Sequence, residues 1–150
     1  MHTGQTPLVC GRKTKITSNP SLLNTVKAST LFALLASCIS NATEIVKISA
    51  SSAQQGNPAP AAFDNQPGTR WAAEGSGQWI AASFSEPLEV NSVEIGFHNG
   101  NRKYSFDIEV TNDGNSWENL GSFTSAGKDN KPETFRFKAS SARQLRIISK

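Results

Sequence analysis

The side chains best suited to holding a ligand are concentrated in six consecutive residues, His98-Asn99-Gly100-Asn101-Arg102-Lys103, which bring together an imidazole, two amides, a guanidinium and an ammonium. A guanidinium forks onto a carboxylate through two parallel hydrogen bonds, while His98 and Asn101, with Asn99 between them, can exchange hydrogen bonds with hydroxyls. The chemistry on offer is recognition of a hydroxyl-rich molecule that carries carboxylates. The competing reading is a solvated hairpin loop with Arg102 packed along a sheet. Reactive chemistry is harder to assemble. After residue 42 the chain has one His, one Tyr and no Cys, and no Ser, His and Asp are spaced to suggest a nucleophile with its base. His98 with Tyr104 would imitate a general base and acid, but the alternation below sends Tyr104 to an apolar face. The expectation is a binding protein without catalytic residues.

The elements that must position this loop read as strands. From residue 43 onward, short runs of alternating apolar and polar residues recur between turn signals, and no segment keeps a helical period for a dozen positions. In 104–111, Tyr104, Phe106, Ile108 and Val110 alternate with Ser105, Asp107, Glu109 and Thr111. In 91–97, Val93, Ile95 and Phe97 alternate with Ser92, Glu94 and Gly96. Each strand therefore turns one face to a core and one to water, and the candidate loop joins the two. Asn112-Asp113-Gly114-Asn115 supplies the next hairpin turn, because these residues tolerate positive φ. Further strands are predicted at 45–50, 78–84, 117–123, 134–138 and 144–149, so the body reads as an all-β sandwich. Residues 50–62, with Gly56, Pro58 and Pro60, read as a long loop, and Lys128-Asp129-Asn130-Lys131 as a solvated one.

The chain has 150 residues, 37% of them hydrophobic and 18% charged, which suits one globular domain. Its formal charge of +3 is unevenly spread: Arg12, Lys13, Lys15 and Lys27 precede residue 42 with no acid among them. The remainder holds eleven Lys and Arg against twelve Asp and Glu, which leaves one net negative charge and no footprint for nucleic acid. The basic stretch is followed by an apolar run over 28–39 and by Ser40-Asn41-Ala42, with small residues at the first and third positions. That order is the secretory pattern. The expected organisation is a secretion signal peptide at 1–42 and a binding domain at 43–150, exported as a secreted or periplasmic protein. Leu35-Ala36-Ser37-Cys38 also resembles a bacterial lipobox, and anchoring through a lipid on Cys38 is the alternative. Both cysteines, Cys10 and Cys38, fall in the leader, so the exported part can form no disulfide and no thiolate metal site.

Several segments in order carry a family resemblance. They are Ile48-Ser49-Ala50-Ser51-Ser52, Ala62-Phe63-Asp64-Asn65-Gln66-Pro67-Gly68-Thr69-Arg70-Trp71, Gly77-Gln78-Trp79-Ile80, Arg102-Lys103-Tyr104-Ser105-Phe106-Asp107-Ile108, Asn112-Asp113-Gly114-Asn115-Ser116-Trp117 and Ala142-Arg143-Gln144-Leu145-Arg146-Ile147. Over residues 48–148 the chain resembles the coagulation factor 5/8 type C, or discoidin-like, domain, whose bacterial members include the family 32 carbohydrate-binding modules. The resemblance implies an all-β, antiparallel jelly-roll β-sandwich of the galactose-binding-domain-like type, with no catalytic residues of its own. The wording of Phe106-Asp107-Ile108-Glu109-Val110 and Glu133-Thr134-Phe135-Arg136-Phe137 is similar to modules beside bacterial alginate lyases. It implies an acidic polysaccharide such as alginate as the partner, held by His98, Asn99, Asn101 and Arg102. Of the three tryptophans, Trp79 and Trp117 match core positions of the family, while Trp71, more open at the end of a loop, is the candidate to stack on a sugar ring, with burial in the core as its other and favoured reading.

The family's calcium site falls on the turn matched by Phe63, Asp64, Gln66 and Thr69, so a structural Ca²⁺ is expected there. Gln66 stands where the family has a second Asp, and the family's late acidic ligand would fall beyond Lys150. A metal-free turn held by hydrogen bonds is the competing reading. The family also continues past the strand at 144–149, so the chain reads as a domain truncated before its last strand, a monomer or part of a longer enzyme chain. Two further roles stay open: a spacer or folding pro-domain of a lyase, and a cell-surface adhesion module. Loops 51–60 and 98–103 carry no Leu, Phe, Ile or Met, which speaks against insertion into a membrane.

Overall fold

The computed structural model describes residues 9–17 and 44–150. Its strands are β1 (Val9–Thr17), β2 (Ile45–Ala50), β3 (Trp71–Ala73), β4 (Trp79–Phe97), β5 (Ser105–Thr111), β6 (Glu118–Thr124) and β7 (Glu133–Ser149), with a short 3-10 helix at Ala59–Ala62. All pair antiparallel, in the order β3-β1-β4-β7-β5-β6, with β2 also on β4.

The two long strands build both layers. Residues 79–84 of β4 lie between β2 and the 144–148 end of β7, which hands on to β5 and β6. Residues 92–95 of β4 lie between β1, which carries β3, and the 133–136 end of β7. Ile80, Ala82 and Phe84 from the first half and Val90, Val93 and Ile95 from the second join one buried core with Ile108, Val110, Leu145 and Ile147. The halves thus face each other across that core, as the expected sandwich requires.

The strands foreseen at 78–84 and 91–97 are one continuous strand, and so are those at 134–138 and 144–149. Register shifts between Ser83 and Leu88 and between Val90 and Ser92 let the chain bend while staying extended. Pro87 tolerates this, since its fixed φ suits extended backbone at an irregular position. The alternation in 104–111 and 93–97 holds: Tyr104, Phe106, Ile108 and Val110, like Val93, Ile95 and Phe97, are buried. Phe97 stacks on Tyr104 at 5.0 Å between centroids, and Phe106 meets Phe135 edge-on at 4.9 Å, geometries that aromatic rings favour.

One strand was not anticipated. Val9–Thr17, which the sequence reading placed in the basic front of a leader, runs between β3 and β4, with Gly11 opposite both Trp71 and Phe97. It gives β3 a strand partner and covers the side of β4 at 92–97 that would otherwise be a sheet edge, and Ile16 packs against the core. The apolar run at 28–39, Cys38 and Ala42 lie outside the described residues.

The turn after β5 confirms the hairpin signal and has a titration of its own. Asp113 Oδ1 accepts the backbone N–H groups of Ser116 and Asn115, each at 2.8 Å, and the Thr111 hydroxyl at 2.9 Å. Those bonds favour the charged form and bring its pKa down to about 2. A carboxyl whose folded pKa is depressed stabilises the fold above its unfolded pKa, near ~3.9, and loses that contribution as pH falls toward the folded value. The stability gap between the parent and Asp113→Ala should therefore be full at neutral pH and close between about pH 4 and pH 2. Urea midpoints across that range measure it. A gap that stays constant to pH 2 would mean that charge plays no part.

Candidate functional site

β4 ends at Phe97, β5 starts at Ser105, β6 ends at Thr124 and β7 starts at Glu133. Because Ile95 pairs with Glu133 and Ser105 with Thr124, the connections 98–104 and 125–132 leave the same end of the sandwich. The turn between β5 and β6, residues 112–117, lies at the opposite end. A strand-built end of this kind holds two loops at a spacing set by the sheet, which is how rigid scaffolds present ligand-binding residues.

Within the first loop the roles separate. Asn99 shapes the turn: its Oδ1 accepts the Asn101 N–H at 3.2 Å, and its carbonyl accepts the Arg102 N–H at 3.1 Å. His98 is half-buried, while Asn101, Arg102 and Lys103 are exposed. The Arg102 guanidinium lies 5.7 Å over the Tyr104 ring, a cation–π contact that orients the fork without consuming its donors. Of the four loop residues expected to bind, Asn101 and Arg102 thus have side chains turned to solvent, and Asn99 spends its oxygen on the turn.

The second loop, read from the sequence as merely solvated, is braced against the first. Gly100 N–H donates to Asn130 Oδ1 at 2.7 Å, and a Cβ on Gly100 would collide with the Asp129 carbonyl. The buried Ser125 hydroxyl accepts the Tyr104 N–H at 2.9 Å, and the Ser125 N–H returns a bond to the Tyr104 carbonyl. Gly127 sits over Lys103, where a Cβ would meet Lys103 Cγ at 2.8 Å. The signal available in the sequence was this pair of glycines, one in each loop, since glycine is used where two backbones approach closely.

The structure takes Trp71 out of the ligand-binding set, in favour of the buried one of its two readings. Its register partner Gly11 also pairs with Phe97, so it stands near the end that carries the 98–104 and 125–132 connections. Yet the side chain is 1% exposed and its Nε1–H donates to the Ser52 carbonyl at 2.9 Å. A ring closed in on the core has no face left for a sugar, so Trp71 is a core residue. Trp79 and Trp117, expected in the core, are half-buried. Trp117 is covered by the Arg146 guanidinium, 4.0 Å above its ring, which also pairs with Glu109 at 2.6 Å.

The turn expected to hold calcium is tightly curled. Asn65 has φ 58°, Gln66 N–H donates to Asp64 Oδ1 at 2.9 Å, and Thr69 Oγ1 lies 2.8 and 2.7 Å from the two Asp64 oxygens and 3.0 Å from the Gln66 carbonyl. Four oxygens from three residues therefore converge. Phe63 packs partly against the core, its N–H bonded to the Pro60 carbonyl. Ca²⁺ takes six to eight oxygens, so this set fits the chemistry of the ion and would supply part of its shell. Among the described residues, no three His, Cys, Asp or Glu side chains gather at one point.

The sequence profile of the F5/8 type C domain matches residues 47–150. The chain belongs to that family. Among solved structures, the F5/8 type C domain described here is similar to the CBM32 of AlyQ in complex with 4,5-unsaturated mannuronic acid, at 34% identity and a TM-score of 0.66, over 71% of this chain and 82% of that one. It is similar to a pectin binding carbohydrate binding module at 25% identity and a TM-score of 0.66, over 71% and 79% of the two chains. It is also similar to chitosan-binding module 1 of the chitosanase/glucanase from Paenibacillus sp. IK-5, at 28% identity and a TM-score of 0.54, over 69% and 80%. No curated protein matches the chain. The fold is that of the family 32 modules. Since the names of these three relatives span uronate-containing and amino-sugar polymers, family membership leaves ligand charge to the loops of the individual domain.

Proposed function

We propose that the F5/8 type C domain is a non-catalytic carbohydrate-binding module for an acidic polysaccharide, alginate first among candidates, and that it engages the polymer through His98, Asn101 and Arg102. The observation that carries this reading is the exposed Arg102 fork, oriented by Tyr104 at the end of the sandwich and flanked by amides and further cations. A relative at 34% identity solved with an unsaturated mannuronic acid supports it. Arg102 pairs with a uronate carboxylate, while Asn101 and His98 bond its hydroxyls. Such a module raises the concentration of polymer at any active site tethered to it. The apolar run and small-x-small site at 28–42 support an exported setting, with the lipid anchor at Cys38 as the other form of export; cleavage at either place would part β1 from the rest of the sheet.

The test is affinity electrophoresis of the full chain in gels containing alginate, pectin, galactan or no polymer. Retardation by alginate is expected, and Arg102→Ala should weaken it roughly tenfold to a hundredfold, the worth of a charge-assisted hydrogen bond of about 1.5–3 kcal/mol. A folded sample that moves freely in every gel would overturn the reading and leave the spacer or folding pro-domain.

We also propose a structural Ca²⁺ at the Asp64 turn, held by Asp64 and Thr69 with the carbonyls of Phe63 and Gln66. Bound there, the ion would tie down the loop that leads into β3. Adding Ca²⁺ should raise the Tm relative to EDTA, and Asp64→Ala should erase the difference; an unchanged Tm would remove calcium from this domain.

A further inference from the structure

The cations of the second loop are the largest feature of this end that the function above does not use. We infer that Lys128 and Lys131 form a second subsite beside Arg102 and Lys103, so that the domain recognises at least two consecutive uronate units of one chain. The inference rests on the reading of the first loop as the polysaccharide site.

Three observations carry it. First, the two loops form one surface: Gly100 is bonded to Asn130, Gly127 lies on Lys103, and Ser125 bridges to Tyr104. Second, that surface exposes Arg102, Lys103, Lys128 and Lys131. Third, the carboxylates nearby are occupied or weakly matched to them. Glu133 Oε2 accepts the Ala126 N–H at 2.8 Å, and Asp129 Oδ1 accepts the Lys131 N–H at 2.9 Å. The other Asp129 oxygen reaches the Lys131 ammonium only at 4.0 Å, with the lysine side chain 86% exposed, an arrangement that contributes little. Four cations on two mutually braced loops repel one another, and a polyanion with a carboxylate on every sugar unit relieves that repulsion where a neutral sugar does not. The second loop thus reads chain length and charge, and the first reads a single unit.

The test is calorimetric titration of the full chain with mannuronate monosaccharide, tetramannuronate and a neutral galactotetraose at two salt concentrations. The parent should bind tetramannuronate at least tenfold more tightly than the monosaccharide, with the advantage shrinking at high salt. In K128Q/K131Q that advantage should fall roughly threefold to tenfold, the scale of two exposed charge pairs, with monosaccharide affinity unchanged. Equal tetrasaccharide affinity in the parent and K128Q/K131Q, with Arg102→Ala still weakening binding, would overturn the subsite alone. Arg102→Ala without effect on any probe would instead overturn the first-loop reading. Surface Lys→Gln changes leave the core intact, so melting curves should match the parent.

Discussion

Trp71→Ala should cost the domain about 3–5 kcal/mol, the range for truncating a fully buried large aromatic residue. The side chain is 1% exposed within the core that Ala73, Phe97 and Tyr104 share, and its loss would leave a cavity that strands on either side cannot close. It would also leave the Ser52 carbonyl without its donor, so that the 51–57 loop would be held to β3 only by the backbone bonds between Gln54 and Ala72 and between Ala72 and Asn57. Domains of this size hold on the order of 5–15 kcal/mol in total, so the variant should unfold at a much lower urea concentration. Trp71→Phe keeps most of the volume and loses only the hydrogen bond, so it should cost clearly less. Urea denaturation of both variants separates a core role from a stacking role. A Trp71→Ala protein of near-parental stability that no longer binds polymer would reinstate the sugar-facing ring and contradict the burial.

Gly100→Ala is the second large effect, and it should appear in binding. A Cβ at this position runs into the Asp129 backbone carbonyl, and main chain cannot swing aside as the end of a long side chain can. The φ of Gly100 is outside the left-handed region, so the constraint is one of space. The two loops must separate, breaking the Gly100 to Asn130 bond and shifting Arg102 relative to Lys128. Overpacking of this kind costs about 1–3 kcal/mol. Retention by alginate gels should weaken at least roughly tenfold, equivalent to about 1.4 kcal/mol. Gly114→Ala is the matched control, because Gly114 has φ 77° at the opposite end. It should lose about 1–2 kcal/mol of stability to backbone strain and keep its binding. If both glycine variants bind as the parent does, the mutual bracing of the loops has no functional weight.

Much of the sandwich was legible in period-two patterning. Ile45–Ala50 has the same bounds in sequence and structure, and the buried faces of 93–97 and 104–111 are those that alternation picks out. A strand with one wet face must write that asymmetry into its own residues. The continuity of β4 through Ser85, Glu86 and Pro87 was not legible, since a Pro beside polar residues looks locally like a turn whether or not the sheet carries on. β1 was hidden for another reason: a basic, polar segment pairs through its backbone between two neighbours, and backbone pairing leaves little trace in side-chain pattern.

For the site, the residue types of His98 to Lys103 already specified the chemistry proposed for them, donors and cations for hydroxyls and carboxylates. Local composition suffices for that because chemistry resides in the side chains. Which loop stands beside them, and whether Trp71 faces a ligand or the core, was decided only by tertiary structure. Those answers depend on contacts such as Gly100 with Asn130, Ser125 with Tyr104 and Trp71 with Ser52, between residues 19 to 30 positions apart, where strand pairing and not sequence proximity sets the distance.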